Sequence, residues 1–169
     1  MASKLRHPII ALFSGSTCVE SLLNSKLLNQ AASQLESRDN VPLPLGLADA
    51  DYSLPLFSQD LKTSAFPEAA RRLNEDLIVA EAFLVASPEY DGFPTPKVMN
   101  AITWATSGEG NAYDAFQRKV GVVISASPGS MGGLRGLGSK RELLRTARLE
   151  SAPGQPHHFT RHEADRNAQ

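Results

Sequence analysis

The chain has 169 residues, 41% of them hydrophobic and 21% charged, with a formal net charge of -1 at pH 7. This length predicts one domain with a buried core, and the near-neutral charge argues against binding to nucleic acid or to an anionic membrane surface. The single cysteine, Cys18, excludes a disulfide framework and a multi-cysteine metal site, and the lack of a ~20-residue apolar run or a signal peptide predicts a cytoplasmic protein.

The first half of the chain predicts two strands and two helices. Residues Ile9–Ser14 form a short apolar run between a proline and a glycine, which is typical of a strand buried on both faces. Apolar residues at helical spacing predict an amphipathic helix over Ser21–Glu36. Two prolines limit Val41–Leu47 to a short strand near a sheet edge. Residues 49–63 predict a long loop, and a helix is expected from Pro67 to about Glu81.

The second half predicts two more buried strands, two helices and a polar tail. The strands are Ala82–Ser87 and Lys119–Ser125, and the helices are Pro96–Thr106 and about 133–147. From residue 150 onward one large apolar residue remains, so residues 148–169 are expected to form a disordered tail behind a domain of residues 1–147. Three of the four histidines lie in this tail, where no preformed metal site is expected.

This alternation of buried strands and amphipathic helices predicts an α/β fold with a parallel sheet covered on both faces. In such sheets, ligands bind at the carboxyl ends of the strands. The function is therefore expected in the loops that begin at Ser14, Ser87 and Ser125. We call residues 14–24 the first loop, residues 87–96 the second loop and residues 127–138 the third loop.

The first loop is rich in hydroxyl groups and runs into a predicted helix start. Backbone N–H groups at a helix amino end can cradle a phosphate, here with help from Ser16, Thr17, Ser21 and Asn24. The loop lacks the lysine of a P-loop, which argues against hydrolysis of a nucleoside triphosphate. The alternative interpretation is an ordinary helix start whose free N–H groups are capped by a serine or asparagine.

The second and third loops differ in stiffness. The second loop contains three prolines and could lie against a flat heteroaromatic ring, or it could be a stiff surface connection. The third loop contains five glycines, which permit close approach of a ligand but also suit a flexible turn. No GxSxG motif is present, no histidine pairs recognisably with Cys18, and Glu89 has no partner carboxylate, so no catalytic side chain is predicted.

Three segments together resemble the NADPH-dependent FMN reductase family, which includes chromate, quinone and azo-dye reductases. They are Phe13-Ser-Gly-Ser16 with Asn24-Ser-Lys-Leu27, then Tyr52-Ser-Leu-Pro-Leu-Phe57, then Ala86-Ser-Pro-Glu-Tyr-Asp-Gly-Phe-Pro-Thr-Pro-Lys-Val-Met-Asn-Ala-Ile-Thr-Trp-Ala105. The resemblance covers about residues 8–145. It implies a flavodoxin-like three-layer sandwich with strand order 2-1-3-4, with FMN and NADPH as cofactors.

The resemblance also implies roles for residues in all three loops. The FMN phosphate would be held by Ser16, Ser21 and Asn24. The isoalloxazine ring would be bordered, mainly through backbone groups, by Pro88, Glu89, Tyr90, Asp91 and Gly92. The far side of the ring would be closed by Ser127, Pro128 and Gly129. The cofactor would carry the chemistry in two separate half-reactions, taking a hydride from NADPH and then passing electrons to a quinone or another small acceptor.

Three departures from the family pattern affect these expectations. Cys18 stands where the family usually has an arginine near the phosphate, and two residues separate Ser21 from Asn24 where the family usually has one. Residues 145–154 are polar where a final apolar strand belongs. The fifth strand is therefore expected to be missing or altered, which bears on the homodimer or homotetramer that the resemblance implies. The alternatives to an FMN-dependent oxidoreductase are an FMN-binding electron carrier and a degenerate paralogue that binds no flavin.

Overall fold

The computed structural model describes residues 7–16, 23–38, 40–45, 53–108, 110, 113–128, 131–151 and 157–160. The strands are β1 (Ile9–Ser14), β2 (Val41–Leu45), β3 (Ala82–Ala86), β4 (Val120–Ser127), β5 (Glu150–Ser151) and β6 (His157–Thr160). The helices are α1 (Leu23–Glu36), α2 (Gln59–Ser64), α3 (Glu68–Val79), α4 (Pro96–Ala105) and α5 (Leu134–Thr146). The four strands and four helices predicted from the sequence are confirmed, with ends that shift by a few residues.

Helix α2 corrects one prediction, because it occupies the end of the segment expected to be a long loop. Ser58 caps this short helix, and its hydroxyl accepts a hydrogen bond from the backbone N–H of Leu61 at 3.4 Å. Such a cap satisfies a donor that a helix start otherwise leaves free. A helix of six residues has too few turns to produce the periodic pattern by which longer helices are recognised.

All strand pairs of the sheet are parallel within the described residues, in the order β2-β1-β3-β4-β5. This is the order of flavodoxin-like sheets, and it confirms the predicted order 2-1-3-4. Strand β2 lies at one edge, where its two prolines remove donors that no neighbouring strand needs.

The fifth position of the sheet is filled by two short segments. Both β5 and β6 pair with β4, with Val120 opposite Glu150 and Ile124 opposite His157. The fifth strand is thus altered rather than missing, and these six residues are strands within a segment expected to be disordered. Backbone pairing does not require apolar side chains, so the exposed edge of β4 can recruit polar residues. The domain boundary at residue 147 stays a prediction, since residues 152–156 and 161–169 lie outside the described ranges.

Helices cover the sheet unequally on its two faces. Alternate strand residues such as Phe13 and Phe83 pack with α3, α4 and α5 in the larger core. On the other face, α1 packs Leu28 against Leu12 and Ala86. The period of two along β1 separates these faces, as expected for a strand buried on both sides. No helix in the described part of the chain is long and apolar enough to span a membrane.

Candidate functional site

Strands β1, β3 and β4 end at the same edge of the sheet, so the three loops start side by side. The backbone N–H of Gly15 donates to the carbonyl of Ala86 at 2.7 Å, and that of Ser87 donates to Ile124 at 3.2 Å. The chain leaves β1 toward β2 on one side and leaves β3 toward β4 on the other. This reversal of strand order opens a crevice between β1 and β3, which is where open α/β sheets bind ligands.

Gly15 lies where the first loop meets the start of α4. A Cβ atom at this position would come within 2.8 Å of Ser87 Cβ, so the close approach requires glycine. The hydroxyl of Thr95 donates to the Gly15 carbonyl at 2.7 Å, and the same oxygen caps α4 by accepting from Val98 N at 3.5 Å. A single buried threonine therefore fixes the first loop relative to the end of the second.

Ser16 is buried at the described end of the first loop, and a lysine from α4 reaches it. The Lys97 ammonium lies 3.5 Å from the Ser16 carbonyl oxygen. No lysine or arginine occurs within residues 14–24, so this side chain brings a positive charge that the loop itself lacks. The sequence analysis missed Lys97 because it lies 81 residues from Ser16 in the chain. Ser21, the second predicted phosphate ligand, lies outside the described residues.

Asn24 connects α1 to β4 and leaves 3% of its surface exposed. Its amide nitrogen donates to the Ala126 carbonyl at 3.0 Å, and its amide oxygen accepts from the Ala126 N–H at 3.0 Å. Both polar atoms are thus engaged by the backbone that leads into the third loop. Asn24 lies in the first loop, and its contacts in the structure attach α1 to β4. Its predicted contact with a phosphate stays a prediction.

The second loop contains a tight turn from Tyr90 to Phe93. These two residues exchange both backbone hydrogen bonds, at 3.1 and 2.9 Å. Asp91 and Gly92, between them, have φ angles of 52° and 84°, and two positive φ values are the requirement of a type I′ turn. The Asp-Gly pair is the sequence preferred there, because aspartate tolerates the left-handed region and glycine adopts it freely. The turn carries Tyr90 and Phe93 with 43% and 62% of their surfaces exposed.

Glu89 links the second loop to the first turn of α5. One carboxylate oxygen accepts from the Gly136 N–H at 2.9 Å, and the other accepts from Arg135 Nε at 3.0 Å. The Glu89 side chain is 7% exposed. An anion at a helix amino end is favoured by the free N–H groups and the helix dipole. These contacts occupy both carboxylate oxygens, and the absence of a catalytic role for Glu89 stays a prediction.

A buried lysine lies beneath the junction of the second and third loops. Lys140 on α5 is 1% exposed, and its ammonium donates to the hydroxyl of Ser125 at 2.9 Å. That hydroxyl in turn donates to the carbonyl of Ser87 at 2.8 Å. Burial lowers the pKa of Lys140 to about 8, although the nearby charge of Glu89 opposes the shift. The sequence analysis missed Lys140, but its spacing from Leu137 and Leu144 places it on the buried face of the helix and could have revealed it.

Two of the three site residues predicted in the third loop are described. Ser127 ends β4 and is half-buried, Pro128 follows it on the surface, and Gly129 lies outside the described residues. Gly132 and Gly133 have φ angles of 56° and 86°, a backbone conformation that glycine adopts freely. A Cβ atom at Gly133 would also collide with the hydroxyl of Ser125. The described ranges contain no cluster of three or more histidine, cysteine, aspartate or glutamate side chains that could hold a metal.

A parallel sheet in the order 2-1-3-4-5, with a polar loop after β1 and a tightly turned loop after β3, defines a flavodoxin-like protein. The sequence matches the NADPH-dependent FMN reductase family over residues 8–162, and the chain belongs to this family. The resemblance read from the three sequence segments is therefore confirmed. The match extends into the segment that contains β5 and β6, which agrees with their place in the sheet.

Individual relatives give the same result. An NAD(P)H-dependent FMN reductase of Pseudomonas aeruginosa is 32% identical over 127 residues, which cover 75% of this chain and 66% of that protein. A 2-hydroxy-1,4-benzoquinone reductase of a Burkholderia species is 34% identical over 94 residues, 51% of this chain and 50% of that protein. The solved structure of FerB, an NAD(P)H:acceptor oxidoreductase of Paracoccus denitrificans, matches with a TM-score of 0.78 at 27% identity, over 90% of this chain and 79% of that one. The chain spans about half to two thirds of the length of these curated relatives.

Proposed function

We propose that this chain binds FMN at the edge formed by the three loops and acts as an FMN-dependent NAD(P)H oxidoreductase. The observation that carries this proposal is the position of the loops at the crevice between β1 and β3. In flavodoxin-like sheets of this strand order, FMN is bound at that switch point. Membership of the NADPH-dependent FMN reductase family supports the same cofactor and electron donor.

The first loop fits the phosphate end of FMN. It immediately precedes α1 in the chain, and hydroxyl groups and backbone N–H groups at a helix start favour a bound anion. A phosphate monoester carries up to two negative charges, and the ammonium of Lys97 beside Ser16 would balance part of them. Ser16, Ser21 and Asn24 remain the predicted polar ligands, and Lys97 takes over the charge that the family's arginine usually supplies.

The second and third loops fit the flat end of the cofactor. They carry exposed apolar side chains at this edge, namely Tyr90, Phe93, Met131 and Leu134. Contact with an aromatic ring would bury part of that surface, and backbone groups of the rigid turn could bind the polar edge of the ring. Pro88, Glu89, Tyr90, Asp91 and Gly92 would contact the ring mainly through the backbone, which the attachment of the Glu89 side chain to α5 supports for that residue. Ser127, Pro128 and Gly129 would close the far side of the ring.

FMN, when bound, supplies the redox chemistry, because its ring can accept a hydride and release electrons to an acceptor. The chain then has to hold the ring, exclude water from one side of it and leave space for the donor and the acceptor in turn. None of these three tasks needs an acid or a base from the protein. This agrees with the engagement of Glu89 by α5.

Quinones are the proposed acceptors, on the grounds that the Burkholderia relative is named for reducing a benzoquinone. Two separate half-reactions, a cytoplasmic place of action and assembly into a homodimer or homotetramer belong to the same proposal. They follow from the family resemblance and from the composition rather than from any contact in the described residues.

The test uses the purified chain titrated with FMN, followed by anaerobic addition of NADPH and then of a quinone. We expect quenching of flavin fluorescence on binding, bleaching by NADPH and recovery of the colour with the quinone. Bound flavin that neither NADPH nor NADH bleaches would contradict the reductase and favour the electron carrier. Failure to bind FMN at all would overturn the proposal in favour of a degenerate paralogue.

A further inference from the structure

Lys140 has no part in the proposed cofactor contacts, yet it is the one charged residue among those described that is fully buried. It lies on α5 between Leu137 and Leu144, which are both buried in the larger core. Burying an ammonium group costs free energy unless partners compensate, and an apolar side chain of similar length would fill the same space at lower cost. A buried charge at the edge where a ligand is expected therefore calls for a functional reason.

The contacts of Lys140 connect the beginnings of two loops. Its ammonium binds the hydroxyl of Ser125, and that hydroxyl binds the carbonyl of Ser87, the first residue of the second loop. Ser87 and Ser125 are both completely buried, so water cannot replace these bonds easily. The chain of hydrogen bonds runs from α5 through the end of β4 to the end of β3.

A second connection runs through Glu89 and depends on a glycine. A Cβ atom at Gly136 would come within 3.0 Å of Glu89 Cγ and 3.1 Å of Lys140 Nζ. The glycine therefore leaves the space in which the carboxylate of the second loop and the ammonium of α5 approach each other. One turn further along α5, the Ser139 hydroxyl donates to the Gly92 carbonyl at 3.0 Å, so the helix holds the second loop at two points, Glu89 and Gly92.

We propose that Lys140 is a positioning residue for the flavin ring: its charged side chain holds the second loop against α5 and β4 in the arrangement that binds the cofactor. This inference rests on the proposed function. Lys140 acts through Ser125 and Glu89 and does not itself touch the flavin.

The positioning depends on the charge of Lys140 and therefore on pH. Glu89 is the charged group that faces it from the second loop, Arg135 shares that carboxylate from the first turn of α5, and β4 presents the hydroxyl of Ser125. Loss of the proton removes the attraction to Glu89 while the amine keeps its bond to Ser125. Because burial lowers the pKa of Lys140 to about 8, FMN affinity should fall as the pH rises through this value.

Two substitutions separate the charge from the hydrogen bond. Lys140→Gln keeps a donor for Ser125 without charge, and Lys140→Met removes both with little change in volume. The dissociation constant for FMN is measured by fluorescence quenching from pH 6.5 to about 9.5. We expect the dissociation constant of the wild type to rise several-fold as the pH passes through 8, and that of either variant to show no such rise. At pH 7 the expected loss of affinity is about fivefold for Lys140→Gln and about tenfold for Lys140→Met.

Hydrogen exchange in the absence of flavin provides a second readout. Amides of residues 87–92 should exchange faster in both variants than in the wild type, because their anchor on α5 is weakened. Lys62→Met on α2 removes a positive charge outside this cluster and should match the wild type in both measurements. If both Lys140 variants kept the wild-type FMN affinity, pH profile and loop exchange, this inference would be overturned while the proposed function would stand. If the wild-type chain bound no FMN at any pH, the proposed function would fail and this inference with it.

Discussion

At the scale of single residues, the three loops depend both on particular side chains and on glycines, which have none. Gly15 and Gly133 leave space that Ser87 and Ser125 occupy, so the two serines can lie at the ends of their strands. Asp91 occupies the left-handed region that asparagine and aspartate tolerate best among residues with a side chain. Lys97 crosses from α4 to the first loop and supplies a charge there.

The role of Lys97 predicts a change in the selectivity between two flavins. Lys97→Met should weaken FMN binding about tenfold, because a charge-assisted contact to the phosphate is lost. Riboflavin has the same ring without the phosphate, so its affinity should stay within about twofold. Titrations of both flavins against both proteins measure the ratio, with Lys62→Met as the charge-matched control. An equal loss of affinity for the two flavins would show that Lys97 acts on the fold rather than on the phosphate.

At the scale of elements, the site depends on how α1, α4 and α5 are attached to the sheet. Helix α5 holds the second loop through Glu89, and α4 holds the first loop through Thr95. Among the described helices, α1 packs on the opposite face of the sheet from α3, α4 and α5, and Asn24 links its first turn to β4. The bonds of Thr95 and Asn24 are buried and that of Glu89 is partly buried, and a buried group left unpaired would cost more than a formed bond gains.

The attachment of α1 predicts a loss of stability when Asn24 is truncated. Asn24→Ala removes two hydrogen bonds and leaves the N–H and C=O groups of Ala126 without these partners. The free energy of unfolding should fall by about 2–3 kcal/mol, measured by urea denaturation. Asn29→Ala, an exposed position on the same helix, should change it by less than about 0.5 kcal/mol. A loss of similar size in both variants would contradict the role of the contact with β4, since alanine favours a helix more than asparagine does and helix propensity alone predicts no loss.

At the scale of the whole molecule, the buried charge of Lys140 couples folding to pH. Its pKa is about 8 in the folded chain against 10.5 for the free side chain, so between these values the unfolded chain holds a proton that the folded chain has released. Raising the pH in this window therefore favours the folded state. The same proton strengthens the proposed positioning of the second loop, so stability and cofactor binding respond to it in opposite directions.

The predicted pH dependence is a rise in the free energy of unfolding of up to about 3 kcal/mol between pH 8 and 10.5. Burial also lowers the pKa of Lys119, so the wild-type slope contains a second contribution. Urea denaturation of Lys140→Met over the same range isolates the first contribution, since this variant should lose most of the rise. A wild-type slope that persists in the variant would mean that the ammonium of Lys140 is hydrated in the folded protein.

Much of the architecture could be predicted from the sequence because local patterns carry it. The apolar runs of β1, β3 and β4 and the periodic helices α1, α4 and α5 lie within a few residues of their predicted ends. The two prolines of β2 predicted an edge strand, and β2 is at an edge. The fifth position escaped prediction, since β5 and β6 pair through the backbone of polar residues that give no apolar signal.

By itself, the sequence determined the fold class, the family and the three loops in which the site is proposed to lie. The periods of strands and helices and the carboxyl-end rule for parallel sheets need no knowledge of distant contacts. Only the tertiary structure decided which polar groups meet. It brought Lys97 to Ser16, turned Asn24 toward Ala126 and placed Lys140 beneath Ser125 and Glu89. Such partners lie far apart in the chain, and packing rather than local pattern decides which of them share a buried space.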